Sequence, residues 1–260
     1  MGKKNNNKKG QVTIFIIIAI VLIIGGVLFF MFKEKISPTL KINSEENPEE
    51  FLENCLQDDL YESIDFISIH GGNPNSKLYR EFKFSDEDKY YNLSYLCYNQ
   101  NDYVPCIIQS PLLLIDIEKK LKEKINVKKC FDEYVSSLED AGNSVDKNYK
   151  DFNLKIFPGR IEIDLDSKIT KTKNEIVSSE KDFVLSFETK IYELTSLASE
   201  IAEQKAQYCN FEHLGYMQYY PAFNIDYFRT SDSVEIYTLA HKDDVIKFRF
   251  AIRGCVIPPL

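Results

Sequence analysis

The sequence predicts an α+β domain placed behind a single N-terminal transmembrane helix. Three observations predict it. Val12 to Phe32 is an uncharged run of 21 residues. The helical and strand-like patterns after it come in clusters, not in strict β-α-β alternation. All six cysteines fall beyond the run. The layout that follows is a cytoplasmic basic segment at 1–11, the membrane helix at 12–32, a stalk at 33–46 and a disulfide-bonded extracytoplasmic α+β domain at 47–260.

About 20 apolar residues cross the roughly 30 Å hydrocarbon core of a bilayer, so the run is long enough to span. Lys3, Lys4, Lys8 and Lys9 precede it, and Lys33 and Lys35 flank Glu34 after it. The lysine excess on the first side predicts a cytoplasmic N-terminus and an exported remainder in a single-pass arrangement at the cell membrane. A cleaved secretory signal is the rival. Its apolar core is about 7–15 residues and ends at a small-x-small site, whereas Phe29-Phe30-Met31-Phe32 offers none.

Residues 1–32 contain four lysines and no acid, which leaves 28 Lys and Arg against 40 Asp and Glu beyond them, a net of −12. Such a domain repels phosphate backbones, which argues against a nucleic-acid partner. The partners expected are the lipid bilayer, through the N-terminal helix, and a protein or glycan at the cell surface.

Lys8-Lys9-Gly10-Gln11, followed directly by the apolar run, resembles the class III signal of archaeal type IV pilin-like proteins. The resemblance implies cleavage between Gly10 and Gln11, with the apolar helix left in place. It covers only about the first 30 residues. The fifth mature position, often Glu in pilins, is Phe15 here, and Ser37-Pro38 interrupts the helix where pilin helices run on into the head. The segment is also similar in style to single-pass surface proteins of small-genome archaea. A surface-displayed binding or envelope-structural module is therefore the leading expectation, with a filament subunit processed after Gly10 as the alternative and an extracellular hydrolase third.

Cys55, Cys97, Cys106, Cys130, Cys209 and Cys255 are even in number and confined to the exported part, which suits disulfides. No CxxC pair suggests a zinc ribbon or redox site. Six cysteines allow fifteen pairings, and sequence does not choose among them. The element order favours Cys97–Cys106 across a hairpin, Cys55–Cys130 between helices and Cys209–Cys255 at the C-terminus.

Asn47-Pro48-Glu49-Glu50 reads as a helix start, and Phe51, Leu52, Cys55, Leu56, Leu60, Ile64 and Ile67 recur at helical spacing until His70-Gly71-Gly72. Strands are predicted at 78–84 and 90–98, helices from Ser110-Pro111 to about Lys124 and from Val127 to Ala141. Asn143–Asp151 reads as the best internal boundary, but one compact domain over 47–260 is the preferred reading. Strands follow at 152–157, 160–172 and 182–187, then a helix near 190–208 and a hairpin from 234–240 and 245–253.

No GxSxG, Walker loop, HExxH or GxGxxG signature is present, and no cofactor is implied. His70 reads as a helix C-terminal residue, His241 as a turn residue, and His213 lies near Cys209 and Glu212. Asp164 and Asp166 fall on one strand face, a solvated acidic face. Asn92-Leu93-Ser94 is a glycosylation sequon. Tyr216, Tyr219, Tyr220 and Phe223 belong to an aromatic stretch that reads either as an irregular plug for the core or as a surface for interfaces and sugar stacking.

Overall fold

The computed structural model describes residues 47–85 and 87–255. The chain divides between Asn43 and Ser44, and these residues belong to the second unit. The basic segment, the uncharged run, the Gly10–Gln11 junction and the stalk lie outside the described residues. Among the described residues no helix is long and apolar enough to cross a membrane.

In chain order the elements are α1 (Pro48–Ser68), β1 (Tyr79–Lys83), β2 (Tyr90–Tyr98), β3 (Ile107–Ile108), α2 (Leu113–Lys124), α3 (Val127–Asp140), β4 (Ser144–Phe157), β5 (Arg160–Lys173), β6 (Ile176–Glu188), α4 (Ile191–Tyr208), α5 (His213–Tyr219), β7 (Phe223–Arg229), β8 (Glu235–His241) and β9 (Lys247–Arg253). This is an α+β arrangement.

Helix α1 forms for the reasons its sequence gives. The Asn47 side chain accepts from Glu50 N, Pro48 sits in the first turn, and Glu49 and Glu50 complement the positive end of the helix dipole. Leu52, Leu56, Leu60, Ile64 and Ile67 make one buried stripe. The helix ends as Gly72 N donates to Ile67 O. Gly72 has φ +79, and a Cβ there would lie 2.7 Å from Leu113 Cδ1, so only glycine fits.

β4, β5 and β6 form an antiparallel meander. Its inner face carries Phe152, Leu154, Ile156, Ile161, Ile163, Leu165, Phe183, Leu185 and Phe187, all buried. Its outer face is in solvent. Each edge of this sheet receives a helix carboxylate. Ile156 N donates to Glu118 Oε1 of α2, and Ser186 N donates to Glu53 Oε1 of α1, both at 2.9 Å. Edge donors satisfied in this way are withdrawn from strand pairing with other chains.

The second sheet has the order β1-β2-β9-β8-β7, with β3 beside β2. The β2–β9 pair is parallel and its other pairs are antiparallel. Tyr237, Leu239, Phe248, Phe250 and Ile252 face the main core. Tyr91, Leu93, Tyr95, Ile236 and Ala251 form a second cluster on the opposite face. Helix α1 touches both β6 and β9, and α4 touches β2, β8, β9 and β4, so these helices fill a layer between the two sheets.

The cysteines pair as Cys55–Cys130, Cys97–Cys106 and Cys209–Cys255, the arrangement the element order favours. None of them is free.

Several expectations change. β4 begins at Ser144, not Phe152, so Asn143–Asp151 is no linker, in keeping with the preferred single domain. β6 begins at Ile176, not Asp182. In both places the ribbon extends beyond the helix layer, most side chains on both faces are in solvent, and the alternation that marks a half-buried strand is absent. β3, α5 and β7 are additional to the expected elements.

Candidate functional site

The aromatic stretch between α4 and β7 takes its shape from a sharp stop. Helix α4 ends at Cys209, whose φ of 58° is left-handed, and the disulfide to Cys255 holds that residue after β9. Phe211 then turns inward and is buried. The seven-residue helix α5 lies against β7, the edge strand of the larger sheet. Phe223 N donates to Tyr220 O at 3.1 Å and Ile225 N donates to Met217 Sδ at 3.2 Å. The α5 segment thus covers the first half of an edge that strand pairing leaves open.

A helix this short buries no complete stripe, so its rings divide. Tyr216 is packed inward, with ring centroids 5.6 Å from Phe211, 4.7 Å from Tyr220 and 6.1 Å from Phe223. Tyr219 is 85% exposed and Tyr220 54% exposed. Tyr208 and Leu214 are exposed beside them in sequence. The four aromatic residues singled out by the sequence are therefore brought together, with Tyr216 and Phe223 as support and Tyr219 and Tyr220 as display. The stretch is not irregular: it forms a short helix in which Tyr216 and Met217, with Phe223 after it, pack against the core while Tyr219 and Tyr220 stay exposed. The sequence reading missed Tyr208, Leu214 and Tyr227; the Ile225 and Tyr227 alternation was the available signal for β7.

At the other end of α5 a separate chain of rings runs inward. His213 stacks on Tyr227 at 5.1 Å, Tyr227 meets Tyr237 at 5.2 Å, and Tyr237 stacks on Phe250 at 5.2 Å. Both phenols donate to Glu235, Tyr227 at 3.3 Å and Tyr237 at 3.1 Å. Lys205 of α4 donates to the same carboxylate at 2.7 Å. Burial and the Glu235 charge push the Tyr227 phenol up to about 12 and the Tyr237 phenol further up. Burial, with Glu200 nearby, pushes Tyr216 up to about 12. These phenols stay protonated and act as donors, so Glu235 joins β7, β8 and α4 at the His213 end of α5.

The other candidates resolve into structural roles. His70 Nδ1 lies 2.7 Å from Phe66 O at the end of α1. His241 Nδ1 accepts from Asp243 N in the β8–β9 turn. Asp164 and Asp166 are exposed on the outer face of the meander, and Lys150 pairs with Asp166. Asn92 is exposed on β2 opposite Glu81, while Ser94 of the same sequon is buried and donates to Asn73 O. A cleft of about 1000 Å³ is lined by Tyr61, Arg160, Glu188, Lys190 and Asp244 among others. Its polar groups are engaged: Asp244 accepts from Lys190 N and Ile246 N, and Tyr61 donates to Glu188 O. Cys55, Cys130 and Glu133 converge within 4.8 Å, but the two sulfurs are bonded to each other and offer no thiolate to a metal.

Comparison of the chain with protein-family models, with curated proteins and with solved structures finds no match.

Proposed function

We propose that this chain is a single-pass, membrane-anchored cell-surface protein whose disulfide-bonded α+β domain is a binding module. The observation that carries the proposal is the aromatic surface at α5, where Tyr219 and Tyr220 are displayed beside Tyr216, which packs on Phe211 and Phe223, in a segment that starts from the Cys209–Cys255 bridge. Tyrosine gives large amphipathic contact area at low conformational cost, which suits stacking on sugar rings or anchoring in a protein interface. The uncharged run at 12–32 supports the anchor. Three bridges support an oxidising compartment.

The test uses the full chain in lipid vesicles, offered purified envelope polysaccharide in one arm and delipidated envelope protein in another. Retention in one arm, lost on Tyr219→Ala with Tyr220→Ala while the bridges and fold persist, is the expected result. Equal behaviour of both chains in both arms refutes the role of the patch.

The junction at Lys8-Lys9-Gly10-Gln11 favours a second reading, a pilin-like filament subunit processed after Gly10. A mature N-terminus at Gln11 in filaments seen by electron microscopy supports it. The extended backbone at Asn47, φ −151 and ψ 96, weighs against it, because no helix passes unbroken through that residue into α1.

A further inference from the structure

The β5–β6 hairpin ends in two apolar residues that nothing in the domain covers: Ile176 is 73% exposed and Val177 64% exposed. From its far end at Arg160 to this tip, β5 runs 14 residues, about 45 Å at 3.3 Å per residue. The direction of that projection follows from α1. Phe51, in the first turn, meets Tyr134 at 5.3 Å, and Tyr134 lies beside Glu180 of β6. Two residues on, Glu53 accepts from Ser186 N, and two turns further Tyr61 donates to Glu188 O. α1 thus runs alongside β6 in the same sense. Its N-terminus, where the chain enters the domain at Asn47, is at the end toward which the hairpin tip points. Beyond Glu180 the ribbon continues four residues to Ile176, about 13 Å more.

We infer that the β5–β6 tip is a second, weak membrane contact, in which Ile176 and Val177 rest in the headgroup region of the bilayer that holds the chain. This rests on the anchored reading proposed above. Residues 33–46 span at most about 50 Å when fully extended, so the entry end of the domain stays within reach of the surface. Charge does not oppose the contact. Residues 170–181 carry Lys171, Lys173 and Lys181 against Glu175 and Glu180, a net of +1, within an exported portion whose net is −12. A pair of exposed aliphatic side chains gives a shallow, reversible attachment, which the covalently linked anchor makes intramolecular.

The chain contains no tryptophan, so a single introduced indole reports its own surroundings. Ile176→Trp and Val245→Trp are made separately in the full chain and reconstituted into vesicles containing bromine-labelled lipid. Val245, 94% exposed, lies in the β8–β9 turn beside Gly159 and Lys190, at the other end of the meander, and serves as the reference. The inference requires blue-shifted emission and roughly twofold quenching at position 176, as for an interfacial indole, with neither change at 245. Amide exchange of residues 172–179 in the unsubstituted chain, slower in vesicles than in detergent, gives the same answer without an added indole. A chain that stays with the vesicles but has a water-exposed indole at 176, or equal quenching at both positions, overturns the tip contact and leaves the anchor standing. A chain that does not stay with the vesicles overturns both.

Discussion

Lys205, Glu235 and Arg249 carry charge into nearly dry surroundings, and each is tolerated because its partner is held in place. Lys205 and Glu235 are each about 10% exposed and lie 2.6 Å apart, with two phenols completing the carboxylate's shell. Lys205→Ala strands the carboxylate and its tyrosines, and is expected to cost about 3–5 kcal/mol, read as a lower urea midpoint. Arg249 is the counterpart on the opposite face of the sheet, lying 3.9 Å over the Phe84 ring and paired with Glu87. The Arg249 hydrogen bond holds the Glu87 carboxyl below its ordinary value of 4.5. A depressed folded value gives stability that is present above pH 4.5 and lost as pH falls through the folded value. For the phenols the sign reverses. Tyr216 and Tyr227 titrate near 12 in the fold, above their ordinary value, so the stability they contribute is whole below pH 10 and is lost as pH rises toward 12. Urea midpoints across pH are therefore expected to fall on both sides, with phenolate absorbance appearing together with unfolding at the alkaline limb. Phenolate appearing well before unfolding counts against the buried donor role.

At the scale of elements, what was legible in the sequence depended on burial contrast. α1, α3 and α4 were readable because each sets one apolar stripe against solvent, and α1 has a complete cap as well. The outer halves of β4 and β6 were not, because water on both faces removes the alternation. Residues Tyr216–Phe223 were visible as aromatic but not as a short helix, since seven residues give fewer than two turns of pattern. Nor does any local signal announce that Glu118 leaves its own helix surface to accept from Ile156 N. That carboxylate is 9% exposed and also pairs with Lys155. Glu118→Ala leaves an edge amide without its acceptor and is expected to cost about 1–3 kcal/mol, with faster hydrogen exchange at Ile156 as the specific sign. The bridges differ by the length of chain they close. Separations of 75, 46 and 9 residues correspond to about 4.5, 4 and 2.5 kcal/mol in the chain-entropy account. Replacing Cys55 and Cys130 by alanine is therefore expected to lower the urea midpoint more than replacing Cys97 and Cys106. The opposite order would show that strain or residual structure outweighs loop closure.

The whole molecule combines two opposed tendencies, an uncharged 21-residue run and a portion beyond it with a net charge of −12. The compartment reading comes from this contrast and not from any catalytic signature, and the binding reading needs the structure, because only folding separates displayed Tyr219 and Tyr220 from supporting Tyr216 and Phe223. The contrast is also testable as a unit. If the run holds the chain in a bilayer, alkaline carbonate leaves the full chain in the membrane pellet, and deletion of residues 12–32 releases it to the supernatant. Protease added outside intact cells then digests the acidic portion and spares the lysine-rich segment, as the lysine excess requires. The bridges supply an independent check on the same topology. In an oxidising exterior all six cysteines resist alkylation until reductant is added, and the chain migrates faster on a gel without reductant. Carbonate extraction of the full chain, together with free thiols on the native protein, would place the acidic domain in a reducing interior and remove the basis for both the anchor and the tip contact.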